Sequence, residues 1–264
     1  MLPTLKILDV HTTIGCNLSC KGCNHFSNYF APGSQLDTDA LLKDIEVILP
    51  RLDVGRVSVI GGEPLLNPRC KEIVNACRSH TDSPVYLYTN GLLLFQNEDW
   101  IREVLEDPRV FLRISIHLKE VEDIIKKFNH PKVLVTVHHT GQDRWFNSIK
   151  KRDNKVYPYN HNNICRSYDA CSCPNPQLYN GKLWKCPNTA YLRELLSVTE
   201  QEDADEWQEY IVDGVPVDCS DDELTKFCEQ SILPEKVCNM CTARPLHFSA
   251  ALQEKVKRKV IITK

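Results

Sequence analysis

Three cysteines stand close together near the start of the chain, in Cys16-Asn17-Leu18-Ser19-Cys20-Lys21-Gly22-Cys23. This C-x3-C-x2-C triplet lies in a loop that follows a strand-like run. Three thiolates from one short loop can wrap one face of a cubane cluster and ligate three of its four irons. The fourth iron then has no protein ligand and is open to a small molecule. Soft thiolates suit such clusters. The same side chains can also bind zinc, or simply pack as small apolar groups, and the triplet alone leaves these alternatives standing.

A second group lies far along the chain. Cys173 and Cys186 flank a segment, Leu178 to Lys185, whose centre is the turn dipeptide Asn180-Gly181. Such a dipeptide between apolar runs predicts a hairpin, which brings Cys173 and Cys186 side by side. Cys238-Asn239-Met240-Cys241 is a C-x2-C knuckle that can close a four-thiolate site. Zinc and an iron–sulfur cluster accept that ligand set alike. The chain has thirteen cysteines, an odd number that cannot pair completely. Its start, Met1-Leu2-Pro3-Thr4-Leu5-Lys6, lacks the basic-then-apolar layout of a signal peptide. A reducing, cytoplasmic setting is therefore expected, in which clustered thiols point to metal. Cys70 and Cys77 fall within one predicted helix and read as core residues, whereas spacing identifies no partner for Cys219 or Cys228.

The elements that must position these cysteines alternate in type over the first 140 residues or so. Strands are expected at Ile7 to His11, Arg56 to Ile60, Val85 to Thr89, Val110 to Ile116 and Lys132 to Val137. Helical periodicity covers Leu36 to Leu49, with Asp37 or Thr38 as N-cap, then Pro68 to Ser79, Trp100 to Leu105 and Val121 to Phe128. Alternation of this kind implies parallel strands with crossover helices, an open or closed α/β barrel with its sites at the C-terminal strand ends. Past Gln142 the chain turns polar and rich in Asn and Cys, so a domain change is placed near residue 150. That gives a barrel over 1–150 and a small cysteine-rich domain over 151–264.

The C-x3-C-x2-C loop after the first strand, followed by Gly61-Gly62-Glu63-Pro64 after the second, resembles the radical S-adenosylmethionine (radical SAM) superfamily. The resemblance covers roughly residues 5 to 140 and implies an α/β fold, a partial (β/α)6 barrel. It implies a [4Fe–4S] cluster on Cys16, Cys20 and Cys23, whose open iron is chelated by S-adenosyl-L-methionine. It also implies that Gly61, Gly62 and Glu63 contact the cofactor's amino group, since glycines let backbone approach closely and a carboxylate accepts from an ammonium. Asn90 matches the family's Thr-Asn-Gly turn near the cofactor, and Ser115 and His117 lie where the family contacts ribose or carboxylate. Gly22 departs from the pattern, which has an aromatic before the third cysteine; Phe26 is the candidate substitute. Gly181-x4-Cys186 resembles an element of the twitch and SPASM domains that follow many radical SAM barrels. It implies one auxiliary [4Fe–4S] cluster on Cys173, Cys186, Cys238 and Cys241, with Cys171 or Cys165 as alternatives to Cys173. The activity implied is reductive cleavage of S-adenosylmethionine and hydrogen abstraction from a small molecule, sugar or peptide. An electron donor such as flavodoxin or ferredoxin is the implied protein partner.

Bulk properties bound this reading. A net charge of −3 and 25% charged residues do not advertise a nucleic-acid binder, and no apolar run approaches the roughly 20 residues of a membrane span. Residues 200–223 carry eleven carboxylates without a Lys or Arg and read as a solvated surface. His138-His139 sit past the fifth strand on the open face, and Lys255-Val256-Lys257-Arg258-Lys259 forms a basic end. A zinc-binding adaptor without catalysis is the rival from another class, and Gly61-Gly62-Glu63-Pro64 argues against it. Radical modification of a nucleotide or nucleic acid is the alternative among enzymes.

Overall fold

The computed structural model describes residues 1–138, 144–153 and 155–249; His139 and the basic run at 255–259 lie outside them. In chain order the main elements are β1 (Leu8–His11), α1 (Thr38–Ile48), β2 (Val57–Ile60), α2 (Cys70–His80), β3 (Val85–Thr89), α3 (Glu98–Val104), β4 (Val110–Ile116), α4 (Glu120–Phe128) and β5 (Val133–Val137). They are followed by β6 (Lys150–Arg152), β7 (Lys155–Tyr157), α5 (Ile164–Asp169), β8 (Gln177–Tyr179), β9 (Lys182–Trp184), α6 (Leu192–Val198), β10 (Val215–Pro216) and α7 (Asp221–Ser231). The expected strands and helices through β5 all form, each within a few residues of its predicted ends.

One eight-stranded sheet carries the fold, in the order β10-β9-β8-β1-β2-β3-β4-β5. Strands β1 to β5 are parallel neighbours. The aligned residues Val10, Val59, Leu87 and Leu112 form a row across four of them, each at most 1% exposed. Crossover helices on one side supply the facing layer. Asp37 caps α1 by accepting from the backbone of Asp39 and Ala40, satisfying two donors that a helix start leaves open. In α2 the residues Cys70, Ile73, Val74 and Cys77 are all 0% exposed, the spacing of a single buried helical stripe.

The sixth parallel strand comes from the other end of the chain. β8 pairs in parallel with β1, and β9 returns antiparallel to β8. Asn180 and Gly181 both have positive φ, as the two central residues of a tight hairpin turn require. Residues beyond 151 therefore extend the same sheet at the β1 edge. Arg51, just after α1, holds them there by donating to the carbonyls of Val217 and Cys219 and pairing with Asp221. A second core gathers Tyr191, Leu195, Trp207 and Tyr210 around Phe26 and Phe30 of the first cysteine loop. Cys219 and Cys228, unassigned by spacing, are buried in the main core. The acidic segment is only partly a solvated surface: Ser220 and Glu223 form a capping box that starts α7, and Trp207 is fully buried.

None of the thirteen cysteines is in a disulfide, and their exposure differs sharply. Burial pushes the Cys77 thiol up to about 12, so both enclosure and protonation oppose its reaction. Iodoacetamide applied to the folded protein is expected to label the exposed Cys165 while Cys70 and Cys77 stay unlabelled until denaturant is added. Peptide mass mapping checks this, and early labelling at Cys70 or Cys77 would contradict the packing of α2.

Candidate functional site

The C-terminal ends of β1 to β4 open into a cavity of about 430 Å³. Cys16, Cys20 and Cys23 line one wall of it. The turn Gly61-Gly62-Glu63 after β2, Asn90 after β3, and Ser115 and His117 at the end of β4 line the rest. The expected cysteines, the Gly61-Gly62-Glu63 turn, Asn90, Ser115 and His117 thus face one space. The close approach of two turns explains Gly62: a Cβ there would sit 2.0 Å from the Gly15 carbonyl oxygen. Backbone bonds from Gly62 to Thr13 and from Glu63 to Gly15 lock the two turns together.

Glu63 is 1% exposed and works mostly inward. Its Oε1 accepts from Thr89 Oγ1 at 2.7 Å and from the Leu65 amide at 3.1 Å, and its Oε2 accepts from the Asn90 amide at 2.8 Å. Burial pushes its pKa up to about 7, against the three hydrogen bonds that pull it down. Asn90 continues the network, donating from Nδ2 to Asn17 Oδ1 at 2.7 Å, inside the cysteine loop. Asn17 and Thr89 were not singled out from the sequence. Their only signal was position within motifs already recognised.

Histidines and aromatics close the cavity. His117 and His138 stack with ring centroids 4.8 Å apart, and Trp145 meets both edge-on. Burial pushes His117 down to about 3 and His25 down to about 4, so both are neutral at pH 7. His25 lines the cavity, and its Nε2 is buried without a partner among the described residues. Beneath it His11 pairs with Gln177 of β8, which also donates to Asp9 at 3.0 Å. Phe26 does not supply the missing aromatic wall, because it is 1% exposed inside the second core. Trp145 and Phe146 line the cavity instead, and Trp145 lies against Gly22, where a Cβ would meet its ring at 2.9 Å. An aromatic side chain at position 22 would have no room.

The later cysteines converge elsewhere. Cys171, Cys186, Cys238 and Cys241 line a second, smaller cavity together with Lys185. Cys173 lies beside Cys171, with the two sulfurs 3.9 Å apart, and Cys186 and Cys241 are near enough to help push its thiol up, while Cys165 is exposed. Burial pushes Cys186 up to about 11 and Cys241 well above its ordinary value, with neighbouring thiols adding to both. Asn188 Nδ2 donates to Cys241 Sγ at 2.9 Å. The Lys185 ammonium is held by the carbonyls of Ser231 and Leu233 and by Glu235. Ser172, between Cys171 and Cys173, lines the first cavity and accepts from Asn24 at 3.3 Å. The tripeptide Cys171-Ser172-Cys173 therefore touches both cavities. Among the described residues, no three His, Cys, Asp or Glu side chains gather tightly enough to hold a single metal ion, and no helix is long and apolar enough to cross a membrane.

Comparisons with known proteins bear on this arrangement. A GTP 3',8-cyclase of Aquifex aeolicus (strain VF5) is 31% identical over 116 residues, which is 43% of this chain and 35% of the relative. The chain thus spans about a third of the length of that curated relative. The crystal structure of BtrN in complex with AdoMet and 2-DOIA aligns over 93% of this chain and all of that one, at 14% identity and a TM-score of 0.49. anSMEcpe with bound AdoMet aligns over 51% of this chain and 43% of that one, at 20% identity and a TM-score of 0.37. Likeness this distant says nothing about substrate. The radical SAM superfamily model matches residues 10–150, from within β1 to the first residue of β6. That span is more than half of the chain, and on it the protein belongs to the radical SAM superfamily.

Proposed function

We propose that the first cavity binds the cluster on Cys16, Cys20 and Cys23 and S-adenosylmethionine beside it, and that the enzyme abstracts hydrogen from a small-molecule, sugar or peptide substrate at the cavity mouth. The single observation that carries this reading is that three thiols and the Gly61-Gly62-Glu63 turn face one common space. The residues fit such a group. Cys20 and Cys23 are only half-buried and face the cavity, and the Gly62 contact leaves backbone rather than a side chain at its floor. When bound, the cluster and cofactor supply a 5′-deoxyadenosyl radical by reductive cleavage of a carbon–sulfur bond.

The chain's own residues orient and shield. Glu63 holds the turns after β2 and β3 in register, so that backbone oxygens at 61–62 meet the cofactor's ammonium. Asn90 steadies the cysteine loop through Asn17. Ser115 and His117 take the ribose or carboxylate, with His117 neutral and so able both to donate and to accept. Trp145 and Phe146 cover the apolar side and exclude water.

The second cavity is read as an auxiliary cluster site. Thiols from separate segments that line one small cavity can share a metal centre, which takes the place of their protons on binding, and this supports a ligand role for Cys186, Cys238 and Cys241. Its lining favours Cys171 as the fourth ligand over Cys173, with Cys165 too exposed to join. The setting that keeps these thiols reduced is the cytoplasm.

Anaerobically reconstituted protein is expected to hold about eight irons per chain if both sites carry cubanes. Replacing Cys16, Cys20 and Cys23 together by Ala should halve that content. Stoichiometric zinc without iron would sink both assignments.

Glu63→Gln should keep its iron but bind S-adenosylmethionine more weakly by about 1.5–3 kcal/mol, because an amide donor would then oppose the Asn90 amide. Folding raises this carboxyl from its ordinary 4.5 to about 7, so the native chain holds a proton that the unfolded chain releases. Stability of the cluster-free protein should therefore fall as pH climbs through that window, and Glu63→Gln should flatten the slope. Calorimetric titration and melting curves read both effects; unchanged cofactor affinity would leave Glu63 a purely structural role.

Cys186→Ala and Cys238→Ala should retain dithionite-driven release of 5′-deoxyadenosine, since the first three cysteines need no ligand from the later ones. Their iron content should drop and turnover of the true substrate should be lost. If Cys16→Ala kept full cleavage and Cys186→Ala abolished it, the two sites would be assigned backwards.

A further inference from the structure

Reductive cleavage needs an electron from outside the chain, and it must enter near the first cysteine loop. Lys21, between Cys20 and Cys23, is exposed there. The β6–β7 hairpin lies alongside. Its register pairs Arg152 with Lys155 and Lys150 with Tyr157, and Lys150, Arg152 and Lys155 are all exposed. Strand alternation turns Lys151 and Val156 to the other face. Val156 is 0% exposed, and Lys151 donates from Nζ to the Lys21 carbonyl at 3.0 Å. That bond fastens the basic hairpin to the cysteine loop. The ring of Tyr159 lies under Lys150 at 5.4 Å and that of Tyr29 under Lys151 at 5.3 Å, steadying both stems.

The sequence from Phe146 to Asn163 contains one carboxylate, Asp153. Asp153 pairs with Arg152 at 3.4 Å, and the sequence from Cys16 to Leu36 contains no carboxylate. Yet the whole chain carries a net charge of −3. The acidic segment begins behind the hairpin, where Gln201 pairs through its side chain with both backbone groups of Val156, at 2.9 and 3.0 Å. The field therefore changes sign across a short distance, which orients an approaching charged protein as well as attracting it.

We propose that Lys21, Lys150, Arg152 and Lys155 form the docking surface for a small acidic one-electron carrier protein, which reduces the first cluster through the Cys20–Cys23 loop. This rests on Cys20 and Cys23 as cluster ligands. A single-stranded nucleic acid is the other polyanion that a basic surface with nearby aromatics can take. The position of the patch, fastened to the loop that the electron must reach, favours the carrier.

The test compares reduction of the reconstituted holoenzyme by reduced flavodoxin and by dithionite, in the wild type and in a Lys150→Glu, Arg152→Glu, Lys155→Glu triple variant. At low ionic strength the triple variant should be reduced by flavodoxin about ten-fold more slowly or worse, since steering changes on-rates on this scale. The difference should shrink at about 0.5 M salt, where the screening length is only a few ångströms. Iron content and dithionite-driven cleavage should be unchanged. A milder Lys150→Gln, Lys155→Gln pair should show an intermediate loss and serves if the triple variant folds poorly. Equal flavodoxin rates in wild type and variants would overturn the proposal, as would a loss independent of salt or shared with dithionite. If a short single-stranded RNA bound the wild type and not the triple variant while flavodoxin rates stayed equal, the surface would belong to nucleic acid instead. Wild-type cleavage with dithionite but never with flavodoxin would overturn the surface alone; cleavage with neither would overturn the proposed function and the surface with it.

Discussion

The site depends on one buried carboxylate. Glu63 accepts three hydrogen bonds from the turns after β2 and β3, and through Asn90 the same network reaches Asn17 in the cysteine loop. Three loops from three parallel strands are thereby held at fixed separation around the first cavity. Parallel strands end at one edge of a sheet, which brings such loops near one another. Near is not enough for chemistry that needs close positioning. The carboxylate supplies the remaining constraint and tolerates burial because each of its oxygens is bonded.

The second organising feature is how the end of the chain returns to its beginning. β8 adds to the β1 edge of the sheet, and Phe26 and Phe30 of the first cysteine loop sink into the core built by later residues. The loop that carries Cys16, Cys20 and Cys23 is therefore wedged between two apolar cores. Arg51 reinforces the junction by donating to the backbone carbonyls of Val217 and Cys219. One consequence is the short path through Cys171-Ser172-Cys173, which lines both cavities.

Local rules determined a good deal of this. Strict strand–helix alternation, the Asp37 cap and the Asn180-Gly181 turn all express short-range preferences, so β1 to β5, their helices and the later hairpin were legible in the sequence. Cys16, Cys20, Cys23, the Gly61-Gly62-Glu63 turn, Asn90, Ser115 and His117 were legible too, because each belongs to a short motif at the end of a strand. The grouping of Cys171, Cys186, Cys238 and Cys241 was half visible: hairpin and knuckle spacing pointed to the last three, but one loop offers three thiols and spacing does not choose among them.

Tertiary structure alone decided the rest. Trp145 and Phe146 line the cavity in place of Phe26, because Gly22 leaves space that only a distant segment could enter and a second core claims Phe26 first. Glu63 faces Thr89 and Asn90, because donors on an adjacent strand's turn compete for a carboxylate more effectively than its own motif can reveal. β8 closes on β1 because that edge still had unpaired backbone groups. Each of these outcomes depends on contacts between residues far apart in the chain, where local preference is silent and packing and hydrogen-bond satisfaction choose the partner.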